Sequence, residues 1–144
     1  MIRARRGNEG RVRPQQLTMS MAPHEEGPSL ARRFVAHALA LVGLEEDEPD
    51  AALVVSELVG NACRYAREHI TVRVEVEAED GLRIEIEDDG PGMPFLRPTE
   101  PVDAAGRGLQ IVATIADRWG TTPTEDGKYV WVELTHHGIA RVSA

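Results

Sequence analysis

Three short segments of this chain carry side chains whose types and spacing could do chemistry together. In the first, Glu57-Leu58-Val59-Gly60-Asn61-Ala62, the carboxylate of Glu57 and the carboxamide of Asn61 lie four residues apart. On a helix that spacing stacks them on one face. A carboxylate so placed can take a proton or orient a water, beside a side-chain oxygen suited to a hard cation. Mg2+ accepts few protein oxygens and keeps waters and substrate phosphates as its other ligands. The second segment is Asp88-Asp89-Gly90-Pro91-Gly92, at the end of an alternating apolar run. An Asp there can accept from an exocyclic amine such as that of adenine, and Gly90 and Gly92 let the backbone pass close to a flat ligand. The D-x-G-x-G register points to Asp88, with Asp89 as the rival. The third segment, Gly106-Arg107-Gly108-Leu109, opens a helical pattern, and its glycines can turn backbone N–H groups toward an anion. Each segment has a plain structural reading beside the chemical one: a solvated helix face, a Pro-Gly turn with an exposed Asp pair, a flexible helix start.

The elements that must position these segments are legible from periodicity. Leu17 to Ala22 alternates as a short strand. After Pro28, the residues Leu30, Phe34, Ala38 and Leu41 recur at helical spacing up to Gly43. A second helix is predicted from about Asp50 to Arg67, led by the acidic run EEDEPD and carrying Leu53, Val54, Leu58, Ala62 and Tyr65 as its apolar stripe. ITVRVEVEAED and GLRIEIEDD form a hairpin around Glu79-Asp80-Gly81. A Pro- and Gly-bearing loop spans Gly90 to Gly106, followed by a third helix from Gly108 to Ala116. Arg118-Trp119-Gly120-Thr121, a turn at Glu125-Asp126-Gly127 and KYVWVEL close the chain. The order β-α-α-β-β-α-β-β predicts an α+β two-layer sandwich: a mixed, mostly antiparallel sheet with helices on one face. Residues 1–15 read as a disordered basic tail, 16–136 as one domain and 137–144 as a C-terminal tail.

Composition excludes several classes. The net charge of −8 argues against nucleic acid as a partner. No apolar run approaches the roughly 20 residues that cross a bilayer, so no membrane association is expected. A single cysteine, Cys63, excludes an intrachain disulfide framework and fits a cytoplasmic location. The arginines of the tail have no apolar segment behind them, so they do not form a secretory signal. The chain contains no G-x-x-x-x-G-K-[ST] loop and no G-x-G-x-x-G after a strand, which excludes the P-loop and dinucleotide-fold routes to phosphate binding. His24, His37 and His69 read as surface or loop residues, and the adjacent His136 and His137 as a C-terminal loop. Cys63, Trp119 and Trp131 read as packing residues.

The order of these segments resembles the GHKL superfamily of gyrase, mismatch-repair and chaperone ATPases and histidine kinases. Within it, VVSELVGNACRYA is similar to the N box, EDDGPGMP to the G1 box and GRGLQIVATIADRWG to the G2 box of the small bacterial anti-sigma-factor serine kinases. GKYVWVEL is similar to the last strand of that branch, and the resemblance spans Leu17 to Leu134. It implies ATP and Mg2+ as cofactors, with Asn61 as the metal ligand, Glu57 as the general base and Asp88 as the adenine acceptor. Gly90 and Gly92 would pass the base and Gly106 and Gly108 would wrap the triphosphate, with Arg64, Arg107 and Leu109 beside them. The implied partners are a STAS-type anti-sigma-factor antagonist, phosphorylated on Ser or Thr, and a sigma factor that is sequestered, in a protein that can form homodimers. The alternative is a nucleotide-dependent binding module without useful turnover. A histidine kinase would need a dimerising helix pair with a phosphoacceptor His, whereas only the tail and one short helix precede the N box.

Overall fold

The computed structural model describes residues 2–3, 16–77, 81–91 and 104–135. Its elements are β1 (Ile2–Arg3), β2 (Gln16–Met21), α1 (Gly27–Val42), α2 (Glu48–Tyr65), β3 (Ile70–Glu77), β4 (Gly81–Asp88), α3 (Ala104–Ile115), β5 (Arg118–Pro123) and β6 (Lys128–Thr135). The strands form one sheet in the order β1-β2-β3-β4-β6-β5, and every pairing is antiparallel. Ile2–Arg3, inside the segment read as a disordered tail, adds two residues to the β2 edge by pairing with Leu17 and Gln16.

The alternation in β3, β4 and β6 sends Ile70, Val72, Val74, Leu82, Ile84, Ile86, Val130, Val132 and Leu134 to one face, where all are buried beneath the helices. The opposite face carries a charged ladder, with Arg73 paired to Glu85 and Glu87, and Arg83 to Glu85 and Glu133. Arg83 also lies over the Trp131 ring, 4.8 Å from its centroid. This is the α+β two-layer arrangement expected from element order, with helices on one face only. Across the β3–β4 hairpin Glu77 faces Gly81; Glu79 and Asp80, the predicted turn, lie outside the described residues.

Three details of the helices differ from the periodicity reading. In α1 the buried residues are Gly27, Ala31, Val35, Ala38 and Leu39, while Leu30 and Leu41 are exposed. In α2 the buried set is Ala51, Val54, Val55, Leu58, Val59 and Ala62, and Leu53 and Tyr65 are exposed. The two helices pack directly on each other, and most of their buried side chains are Ala or Val, while these Leu and Tyr residues lie outside the buried stripe. The third difference is α3, which begins at Ala104 rather than Gly108. Ala104 and Ala105 are strong helix formers and extend the helix N-terminal to the glycines.

Ends are set locally. Pro49 stands in the first turn of α2, where its missing N–H costs nothing, and Glu48 and Asp50 complement the positive helix end. Helix α1 stops at Gly43, whose φ of 76° is left-handed, with Leu44 N–H donating back to Leu39 O at 2.9 Å. Among the described residues, no helix is long and apolar enough to cross a membrane.

Candidate functional site

Helix α2 lies between α1 and α3, which puts its Glu57–Asn61 face against the start of the third helix. Gly108 is buried there. A Cβ added to it would stand 3.0 Å from Glu57 Oε2, 3.3 Å from Glu57 Cβ and 3.7 Å from Asn61 Nδ2. The first and third segments singled out by spacing are therefore in contact, and any larger residue at 108 would crowd the Glu57 side chain. The longer α3 changes the part Gly108 can play. It sits in the second turn, where its N–H belongs to the helical ladder, while Gly106 is in the first turn, whose N–H groups have no helical partner. Gly106 is the glycine that can offer an N–H to an anion, and Gly108 the one that permits close approach. Leu109 is buried in the core. The side chain of Arg107 lies outside the described residues, as do Gly92, the rest of the 92–103 loop, His136 and His137. Arg64 is exposed in the last turn of α2, where a cation also complements the helix dipole.

The second segment sits at the end of β4. Asp88 continues the inward parity of Leu82, Ile84 and Ile86, so its carboxylate points to the helix layer and is only 6% exposed. Directly across the ladder is Lys128, the first residue of β6, only 4% exposed. Lys128 Nζ donates to Asp88 Oδ1 at 2.8 Å, and Gly90 N–H donates to the same oxygen at 2.8 Å. Oδ2 takes neither bond, so one oxygen fixes the carboxylate and the other is placed to accept. Two glycines allow this compact end. A Cβ on Gly90 would collide with Tyr65 O at the close of α2, and one on Gly127 with Asp88 O.

Asp89, the rival acceptor, has a different task. Its oxygens accept from Arg67 N–H at 2.7 Å, from Glu68 N–H at 3.0 and 3.1 Å and from His69 N–H at 3.2 Å, pinning the link between α2 and β3. Partial burial alone would raise its pKa, but the N–H donors of Glu68, Arg67 and His69, with its own, outweigh that and hold the carboxyl below its ordinary 3.8. Beside it, an acidic recess of about 350 Å3 is lined by Asp88 and Asp89 together with Glu87, Glu125 and Asp126. Its charge is the wrong sign for a polyphosphate.

Spacing alone missed Lys128. The signal was present: Lys128, Val130, Val132 and Leu134 share one parity, and three of the four are core residues. A lysine on that parity must be buried with a counter-charge.

The arrangement fits a purine nucleotide and a hard cation. An oriented buried carboxylate stands at the sheet end, and an oxygen-bearing carboxylate–carboxamide pair faces Gly108 of α3. Comparison with known proteins supports an ATPase-type domain. A family model described as the histidine kinase-like ATPase domain matches residues 22–134. No curated protein sequence matches the chain. Among solved structures, the chain is similar to the histidine kinase domain from the Erythrobacter litoralis EL346 blue-light activated histidine kinase. That likeness has 23% identity and a TM-score of 0.52, covering 68% of this chain and 48% of that one. A second structure of the Erythrobacter litoralis EL346 blue-light activated histidine kinase gives 24% identity and a TM-score of 0.53, over 68% of this chain and 33% of that one. The chain thus spans half or less of the length of these structures, and at such identities the likeness is one of fold.

Proposed function

This chain belongs to the family of histidine kinase-like ATPase domains, and from that premise we propose that it is a cytoplasmic Mg-ATP-binding regulatory protein acting as a serine/threonine kinase. Its substrate on this reading is a small STAS-type anti-sigma-factor antagonist. Its second partner is a sigma factor, captured or released according to nucleotide state, and two copies of the chain can pair. The observation that carries the reading is the contact of Gly108 with Glu57 and Asn61, which brings a candidate base, a candidate metal ligand and the glycine-bearing helix to one place.

The residues divide the work. Asn61 would hold Mg2+, which when bound supplies charge neutralisation on the phosphates. Asp88, fixed by Lys128 and the Gly90 N–H, would accept from the amine of the base. Gly106 would offer its N–H to the phosphates, with Arg64 and Arg107 as further cations near them. Glu57 would accept the proton of the Ser or Thr hydroxyl as that oxygen bonds to the γ-phosphorus and the bond from that phosphorus to the β–γ bridging oxygen breaks, releasing ADP.

The test is capture of partners from cell extract with and without Mg-ATP, with mass spectrometry for phosphorylated Ser or Thr on a small partner. Transfer by the wild type that falls roughly 10²–10⁴-fold in Glu57→Gln, with ATP binding kept, is the expected result. Nucleotide-dependent capture with no transfer would leave the binding-module reading instead.

A further inference from the structure

The nucleotide reading assigns Asp88 to the base and gives Lys128 only the part of fixing that carboxylate. Lys128 has three N–H donors, and its side chain is 5% exposed. Among the described residues Nζ has one partner, Asp88 Oδ1. Two donors are left at a buried position, where donors without acceptors are costly. Structural charge balance explains one of the three bonds and not the other two.

We propose that Lys128 reads the base together with Asp88: its Nζ donates to ring N1 of adenine while Asp88 accepts from the 6-amino group. The inference rests on the ATP-binding reading above and extends it by a residue and a specificity rule. The two groups are held side by side by strand register, Asp88 opposite Lys128, and both point to the helix-covered face. They present an acceptor next to a donor. The adenine edge offers the complement, an amine next to a ring nitrogen with a lone pair. Hypoxanthine and guanine invert both positions, with a carbonyl facing the carboxylate and an N–H facing the ammonium. A carboxylate alone would reject the 6-oxo bases at one position; the pair rejects them at two.

Analogues that change one atom test this on the intact chain. Calorimetric titration would compare ATP with 1-deaza-ATP, in which N1 is a C–H, against wild type and Lys128→Met. Wild type is expected to bind 1-deaza-ATP at least about tenfold more weakly than ATP, the worth of one charge-assisted hydrogen bond. Lys128→Met is expected to bind the two alike, at the weaker level. Equal affinity of wild type for both nucleotides overturns the role of Lys128 while leaving ATP binding intact. A variant that weakens both nucleotides and keeps their ratio overturns it as well, since that is what a purely structural lysine would do. If Lys128→Met fails to fold, the wild-type comparison decides alone. Failure of wild type to bind ATP at all overturns the ATP-binding reading, and the base assignment with it.

Discussion

The two ends of the candidate site are built from different materials. At the β4 end, strand register puts Asp88 opposite Lys128, and backbone N–H groups fix both Asp88 and Asp89. At the α2–α3 end, Glu57 and Asn61 are partly buried and their neighbour is the flank of Gly108. The first end is a network whose members hold each other, so its residues serve stability and binding at once. The second is a close packing of helices with functional side chains at the seam, so binding and stability can be separated there.

That difference predicts unequal responses to mutation. The largest belongs to Asp88→Ala, which leaves Lys128 buried without a counter-charge and should lower unfolding free energy by about 3–5 kcal/mol. Urea denaturation measures it, and Asp88→Ala combined with Lys128→Met should recover much of the loss. Next come the glycines. Gly90→Ala meets the Tyr65 carbonyl, which is backbone and cannot swing aside, and should cost about 1–3 kcal/mol. Gly108→Ala meets the tip of Glu57, a side chain that can turn away, while gaining up to about 1 kcal/mol of helix propensity. Its thermal midpoint should hardly move, yet its affinity for Mg-ATP should fall because the new methyl crowds Glu57 and Asn61. Equal loss of stability from both glycine variants would erase the distinction between the two ends.

Acid should act on the strand end through Asp89. The Asp89 carboxyl is depressed in the folded chain, so its contribution is present in full above the ordinary value of 3.8 and is lost as pH falls through its lower folded value. Protection of the amides at 67–69, read as exchange relative to the intrinsic rate at the same pH, should therefore fall as pH drops below 3.8, and Asp89→Asn should show the same low protection at neutral pH without further change in acid.

The strand end was also the more legible part of the sequence. Strict alternation in ITVRVEVE and GLRIEIED gives the faces, and the parity of Asp88 follows from Leu82, Ile84 and Ile86. The helices were less so. Leu30, Leu41, Leu53 and Tyr65 fit helical spacing but are exposed, while the buried stripes of α1 and α2 are mostly Ala and Val. The start of α3 was missed because two glycines resemble a helix opening, although the helix runs through both. Lys128 lacked a motif of its own. Its meaning comes from the residue facing it across the ladder, forty positions earlier in the chain, and pairing between distant strands leaves no mark in local spacing.

The most direct test of a single Mg-ATP site spanning both ends is calorimetry of ATP and adenosine binding, with and without Mg2+, on wild type, Asp88→Asn and Asn61→Ala. Wild type should bind ATP more tightly with Mg2+ than without. Asp88→Asn should weaken ATP and adenosine together, by about tenfold or more. Asn61→Ala should remove the magnesium dependence of ATP binding and leave adenosine binding unchanged. Magnesium-dependent ATP affinity that persists in Asn61→Ala would contradict the account at its centre.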